Sequence, residues 1–156
     1  MALGVTQALP IDERRTYSKT YCFNQLAFML GGRVAEKLVL GDLSTGSGND
    51  LEKVTKLARK MVCEWGMSEK LGPLTYGQKE EEIFLGREIG VHRDYSEQTA
   101  REIDEEVKVM IEKAAAIAED TIRKNLDKLK SLAATLLEKE ILTGEEIDKI
   151  LFGKNE

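Results

Sequence analysis

Apolar residues recur along most of this chain at three- and four-residue spacing, the period of a helix with one buried face. Phe23, Leu26, Leu30, Val34 and Leu38 form a first such stripe, with Ser18 placed to cap its start and Gly41 to close it. Gly31-Gly32 interrupts the stripe. Glycine is a poor helix former, so this pair predicts either a break between two shorter helices or close backbone packing by a neighbour. A second stripe runs through Leu51, Val54, Ala58, Met61, Val62 and Trp65, and Gly66 ends it. Asn49 and Glu52 stand at the spacing of a capping box for that helix. A long third stripe follows Ser96 through Ile103, Val107, Met110, Ile111, Ala114, Ala118 and Ile122. Asn125 is placed to cap a fourth helix with Leu126, Leu129, Leu132, Ala133, Leu136 and Leu137. Thr143 and Glu146 predict a capping box for a short last helix bearing Ile147, Ile150 and Leu151. Every one of these stripes is expected to be core.

The remaining stretches read differently. Leu3, Val5 and Leu9 suggest a short strand over residues 2–9, ended by Pro10 and the charged run Asp12 to Arg15. A lone strand is not stable, so it needs a partner. Asp42 to Gly48 is a Gly/Ser loop. Residues 67–95 are irregular, with Gly72-Pro73 and Gly77 as turns and short extended pieces at Leu74–Tyr76 and Ile83–Leu85. The pattern as a whole predicts a mainly α fold, a helical bundle with a short N-terminal β-strand element. A chain of 156 residues suits one domain, spanning 1–156, and can bury a core without staples.

Composition narrows the classes of function. Acidic and basic residues, 28 and 23, are interleaved, and the net charge is −5. Without a basic stripe, nucleic acid is not an expected partner. Cys22 and Cys63 are too few and too scattered for a disulfide framework. No apolar run approaches the ~20 residues that span a bilayer, so the chain itself is expected to be soluble.

Candidate chemistry is sparse. One histidine, His92, in Gly-Val-His-Arg-Asp, cannot supply a paired zinc motif or a convincing base for either cysteine. No phosphate-binding loop of the G-x-x-x-x-G-K-[ST] kind is present, so ATP is not expected to bind by that route. The most suggestive segment is Ser44-Thr45-Gly46-Ser47-Gly48-Asn49-Asp50-Leu51. A Gly/Ser loop entering a helix resembles an anion site, but Asp50 places a carboxylate there. By itself Asp50 complements the positive end of the helix dipole. Glu36, following Arg33 on the first helix, is by itself a solvated or ion-paired charge.

These segments fall within a set of ordered blocks. Ala2-Leu3-Gly4-Val5-Thr6, Gly31-Gly32-Arg33-Val34-Ala35-Glu36, and Ser44-Thr45-Gly46 with Asn49-Asp50-Leu51 come first. Trp65 to Leu74, Phe84 to Glu88, and Tyr95 to Ala100 with Ile103 to Val107 complete them. Together they resemble the FtsH family of ATP-dependent zinc metalloproteases. The resemblance implies the C-terminal portion of an FtsH-like peptidase domain. The AAA+ module, the transmembrane segments and the H-E-x-x-H helix would lie outside this chain. In the family, H-E-x-x-H supplies two zinc-binding histidines and the glutamate base, and the third ligand is the aspartate of the Asn-Asp-Leu block, here Asp50. Glu36 matches a family glutamate near the site, where it would orient a histidine. No catalytic residue of the family falls in this chain, which alone is expected to be inactive and not to bind zinc. The whole protein would be a hexamer that degrades unfolded and membrane proteins, a zinc-activated water attacking the peptide carbonyl. It would be anchored in the bacterial cytoplasmic membrane with this domain facing the cytoplasm. The rival expectation is a non-catalytic helical interaction module, a pseudoprotease that assembles with a full-length protease.

Overall fold

In a computed structural model of the chain, residues 16–77 and 95–153 are described. Among them the regular structure is helical: α1 (Lys19–Leu40), α2 (Gly48–Cys63), α3 (Glu97–Lys124), α4 (Leu126–Lys139) and α5 (Gly144–Phe152), with a 3-10 turn at Thr45–Ser47. The strand expected over 2–9, the extended piece at Ile83–Leu85, and His92 lie outside the described residues.

The helix starts follow the capping rules. The Ser18 hydroxyl accepts from the Tyr21 N–H at 3.2 Å, and Ser96 accepts from Thr99 at 3.1 Å. Thr143 and Glu146 form the full reciprocal capping box of α5. Gly41 closes α1 at φ 73°, a left-handed conformation that costs glycine little. Asn125 behaves otherwise than expected. It stands between α3 and α4, but its side chain caps neither N-terminus; its amide donates back to the Thr121 carbonyl at 2.9 Å, binding an orphan acceptor at the end of α3. Helix α4 ends without a glycine, at Glu140, whose φ of 64° is positive.

The expected break at Gly31-Gly32 is corrected, and no neighbour among the described residues packs closely on the pair. Helix α1 runs unbroken through the pair, and a Cβ at either glycine would meet nothing within 4 Å among the described residues. The cost of two glycines, up to ~1 kcal/mol each, is offset by packing on the opposite face. That face carries Cys22, Leu26 and Leu30, all buried.

The core is a three-helix contact. Leu26 on α1, Val54, Ala58, Met61 and Val62 on α2, and Ile103 and Ala114 on α3 are almost fully excluded from solvent. Val107, Met110 and, from the segment after α2, Leu71 complete it. That segment is held by specific bonds. Gly66 adopts φ 58°, and a Cβ there would lie 2.9 Å from the Pro73 Cα, so only glycine lets the chain fold back against itself. Ser68, the one buried polar residue among those described, donates to the Glu106 carboxylate on α3 at 2.5 Å and accepts from the Leu71 N–H at 3.2 Å. Tyr76 donates its hydroxyl to the Leu71 carbonyl and its backbone N–H to that of Cys63.

Two stripes are not core. Helices α4 and α5 pack on each other and bury no residue fully. Leu136 is 44 % exposed, Leu137 86 % and Phe152 65 %. The periodicity of α4 is real, but a helical pair presents one apolar face inward and leaves the rest without a partner among the described residues.

Candidate metal-ligand site

Asp50 occupies the first turn of α2, as the order of residues implies. It is half-exposed, and its ion pair is to Lys53 one turn along the same helix, at 3.5 Å. Such a local, exposed pair contributes under about 1 kcal/mol and leaves the carboxylate available. The expected Asn49–Glu52 capping box is not formed. Helix α2 begins at Gly48, so Asn49 lies inside it, and Ser47 is the N-cap.

Glu36 lies one turn beyond Arg33 on α1, facing the loop that leads to Asp50. The Ser44 hydroxyl and then the Ser44 backbone N–H hold the Glu36 carboxylate below its ordinary range, with Arg33 adding a smaller electrostatic contribution. Arg33 itself donates from Nη1 to the Ser47 hydroxyl at 3.5 Å. The end of the 3-10 turn that leads into α2 is thus tied to α1. Sequence reasoning placed Arg33 only as a neighbour of Glu36 and missed its partner. The available signal was the i, i+3 spacing of the two charges, which puts both on one helix face opposite a loop of hydroxyls.

A catalytic zinc takes three protein ligands and keeps one open position. Among the described residues no group of three or more His, Cys, Asp or Glu converges on a common point. The chemistry of Asp50 fits one oxygen donor of such a site, and a zinc centre built on it needs its other donors from outside the described residues. The cysteines do not compete for that role. Burial pushes the thiols of both Cys22 and Cys63 above their ordinary range, which disfavours the thiolate that a metal requires. No described helix is long and apolar enough to cross a membrane.

The profile of peptidase family M41 matches residues 1–150. The chain is 50% identical over 155 residues to the ATP-dependent zinc metalloprotease FtsH of Acidobacterium capsulatum, covering 99% of this chain and 24% of that protein. It is 51% identical over 152 residues to the ATP-dependent zinc metalloprotease FtsH 1 of a Thermoanaerobacter species, covering 97% of the chain and 25% of the relative. A third relative, FtsH of Magnetococcus marinus, is 47% identical over 98% of the chain and 23% of its own length. The chain therefore spans about a quarter of the length of the curated relatives it matches. Identity near one half, sustained from one end of the chain to the other, is far beyond what a shared helical architecture requires, and the chain belongs to peptidase family M41.

Proposed function

We propose that this chain is the C-terminal part of the peptidase domain of an ATP-dependent zinc metalloendopeptidase, and that Asp50 is the third protein ligand of its zinc. The observation that carries the reading is identity of about one half with named zinc proteases across nearly the whole chain, the Asp50 segment included. The setting of Asp50 supports it. A carboxylate on the first turn of a helix is held rigidly, which suits a ligand distant in sequence from its partners. Zinc, when bound, supplies a Lewis acid that makes water a competent nucleophile near neutral pH. The two histidines and the glutamate base belong to an H-E-x-x-H helix that the resemblance places upstream. Glu36 lies near the site and orients one of those histidines.

The wider reading follows the family. The whole protein carries an AAA+ module and transmembrane segments, and works as a hexamer on unfolded and membrane proteins. It is anchored in the bacterial cytoplasmic membrane with this domain on the cytoplasmic side.

The chain alone is inactive in this reading, because one carboxylate cannot hold a catalytic zinc. Casein hydrolysis by the purified chain, measured with and without a zinc chelator, tests that. No hydrolysis is expected, and chelator-sensitive hydrolysis would sink the assignment of ligands. The complete protease should lose activity in Asp50→Asn. If the chain instead co-purifies with an intact relative and alters its rate, it is an interaction module.

A further inference from the structure

The junction between α1 and α2 breaks a local rule. A serine at a helix N-cap ordinarily sits in the extended region and accepts from a backbone N–H of the first turn, as Ser18 and Ser96 do here. Ser47, the N-cap of α2, has φ −85° and ψ 4° and makes no side-chain cap bond. Its hydroxyl oxygen accepts from Arg33 instead. A residue that forgoes its local optimum marks a place where some other requirement dominates.

At the other end of the turn the Ser44 hydroxyl oxygen accepts from the Gly46 N–H at 3.2 Å, the ordinary local bond of a capping serine. The N–H of Gly48 closes the 3-10 turn onto the Thr45 carbonyl, so turn and helix are continuous. Arg33 on α1 therefore holds the hydroxyl of the residue at which turn and helix join. Asp50 follows within the next helical turn. Its own ion pair, to Lys53, is local to α2 and cannot fix that helix end relative to α1.

We propose that Arg33 is a positioning residue which, through Ser47, sets the orientation of the first turn of α2 and so aims the Asp50 carboxylate at the metal. This rests on the reading of Asp50 as a zinc ligand. A metal site tolerates only small errors of ligand placement, and partners behind a ligand typically contribute ~10–100-fold to metal affinity. The Ser47 hydroxyl suits this task because it accepts from a charge on α1 while its own backbone is the N-cap of α2.

The test uses the complete protease with all its domains, with zinc affinity measured by chelator competition and the visible spectrum recorded after cobalt substitution. Ser47→Ala and Arg33→Gln should each weaken zinc binding ~10-fold and alter the cobalt bands, with the thermal melt unchanged. Ser47→Thr, which keeps the hydroxyl, should restore both. Should Arg33→Gln fail to fold, Ser47→Ala, a single oxygen removed at a helix end, still decides the matter. Affinity within twofold of the parent in Ser47→Ala and Arg33→Gln, while Asp50→Asn weakens it strongly, overturns the clamp and leaves Asp50 as a ligand. Unchanged affinity in Asp50→Asn overturns the ligand reading itself.

Discussion

Leu26→Ala is the sharpest probe of the three-helix core. Leu26 is fully excluded from solvent on α1 and belongs to the cluster that also holds Val54 and Met61 of α2 and Ile103 of α3. Burying a leucine side chain contributes about 1.5–3 kcal/mol, and its truncation adds the cost of the cavity left behind. Three helices close around the site, so it cannot collapse cheaply. The loss should be ~3–5 kcal/mol, the upper part of the range for such changes. Leu137→Ala offers the contrast, since that side chain is 86 % exposed on α4. Its cost should stay within about 0.5 kcal/mol. Urea unfolding of the 156-residue chain, followed by circular dichroism, reads both. With slopes of about 1–3 kcal/mol per molar, Leu26→Ala should lower the midpoint by at least ~1 M, while Leu137→Ala leaves it nearly in place. A loss under about 1 kcal/mol in Leu26→Ala would refute the claim that α1, α2 and α3 share one cooperative core.

Further outcomes test other parts of the structure. Gly66→Ala should destabilise by about 1–2 kcal/mol or more in a thermal melt, because a left-handed backbone is combined with a Cβ 2.9 Å from Pro73. Gly31→Ala and Gly32→Ala should each stabilise the chain by up to ~1 kcal/mol, since the helix is unbroken there and a Cβ meets nothing within 4 Å among the described residues; a fall in melting temperature would show that a neighbour needs the gap. Lys139 first, and then the Thr143 backbone N–H, lower the Glu146 carboxyl to about 2. A depressed folded-state value means that its support for the α4–α5 junction is present above the unfolded value of 4.5 and is lost as the pH falls from there toward about 2. The helical signal of α5, followed by NMR in that window, should decline in the parent and lose this pH dependence in Glu146→Gln.

Much of the local structure was legible in the sequence because its causes are local. Ser18, Ser96 and the Thr143–Glu146 pair mark helix starts through bonds that span only three residues. The stripes through Leu26, Val54 and Ile103 point inward because burying them is the largest favourable contribution available. Asp50 was found through a pattern of blocks, and its place on a first helical turn followed from the loop before it. None of this required knowing what lies opposite.

What lies opposite was decided only by tertiary structure. The stripe of α4 has the same period as that of α3, yet Leu136 and Leu137 stay exposed, because periodicity shows a face and not its partner. Gly31-Gly32 does not break α1, since packing of the far face outweighs a local preference. Ser47 caps nothing, because Arg33, fourteen residues away, takes its hydroxyl. The contact between Arg33 and Ser47 brings together groups whose separation in sequence carries no period, and only the folding of α2 against α1 makes them neighbours.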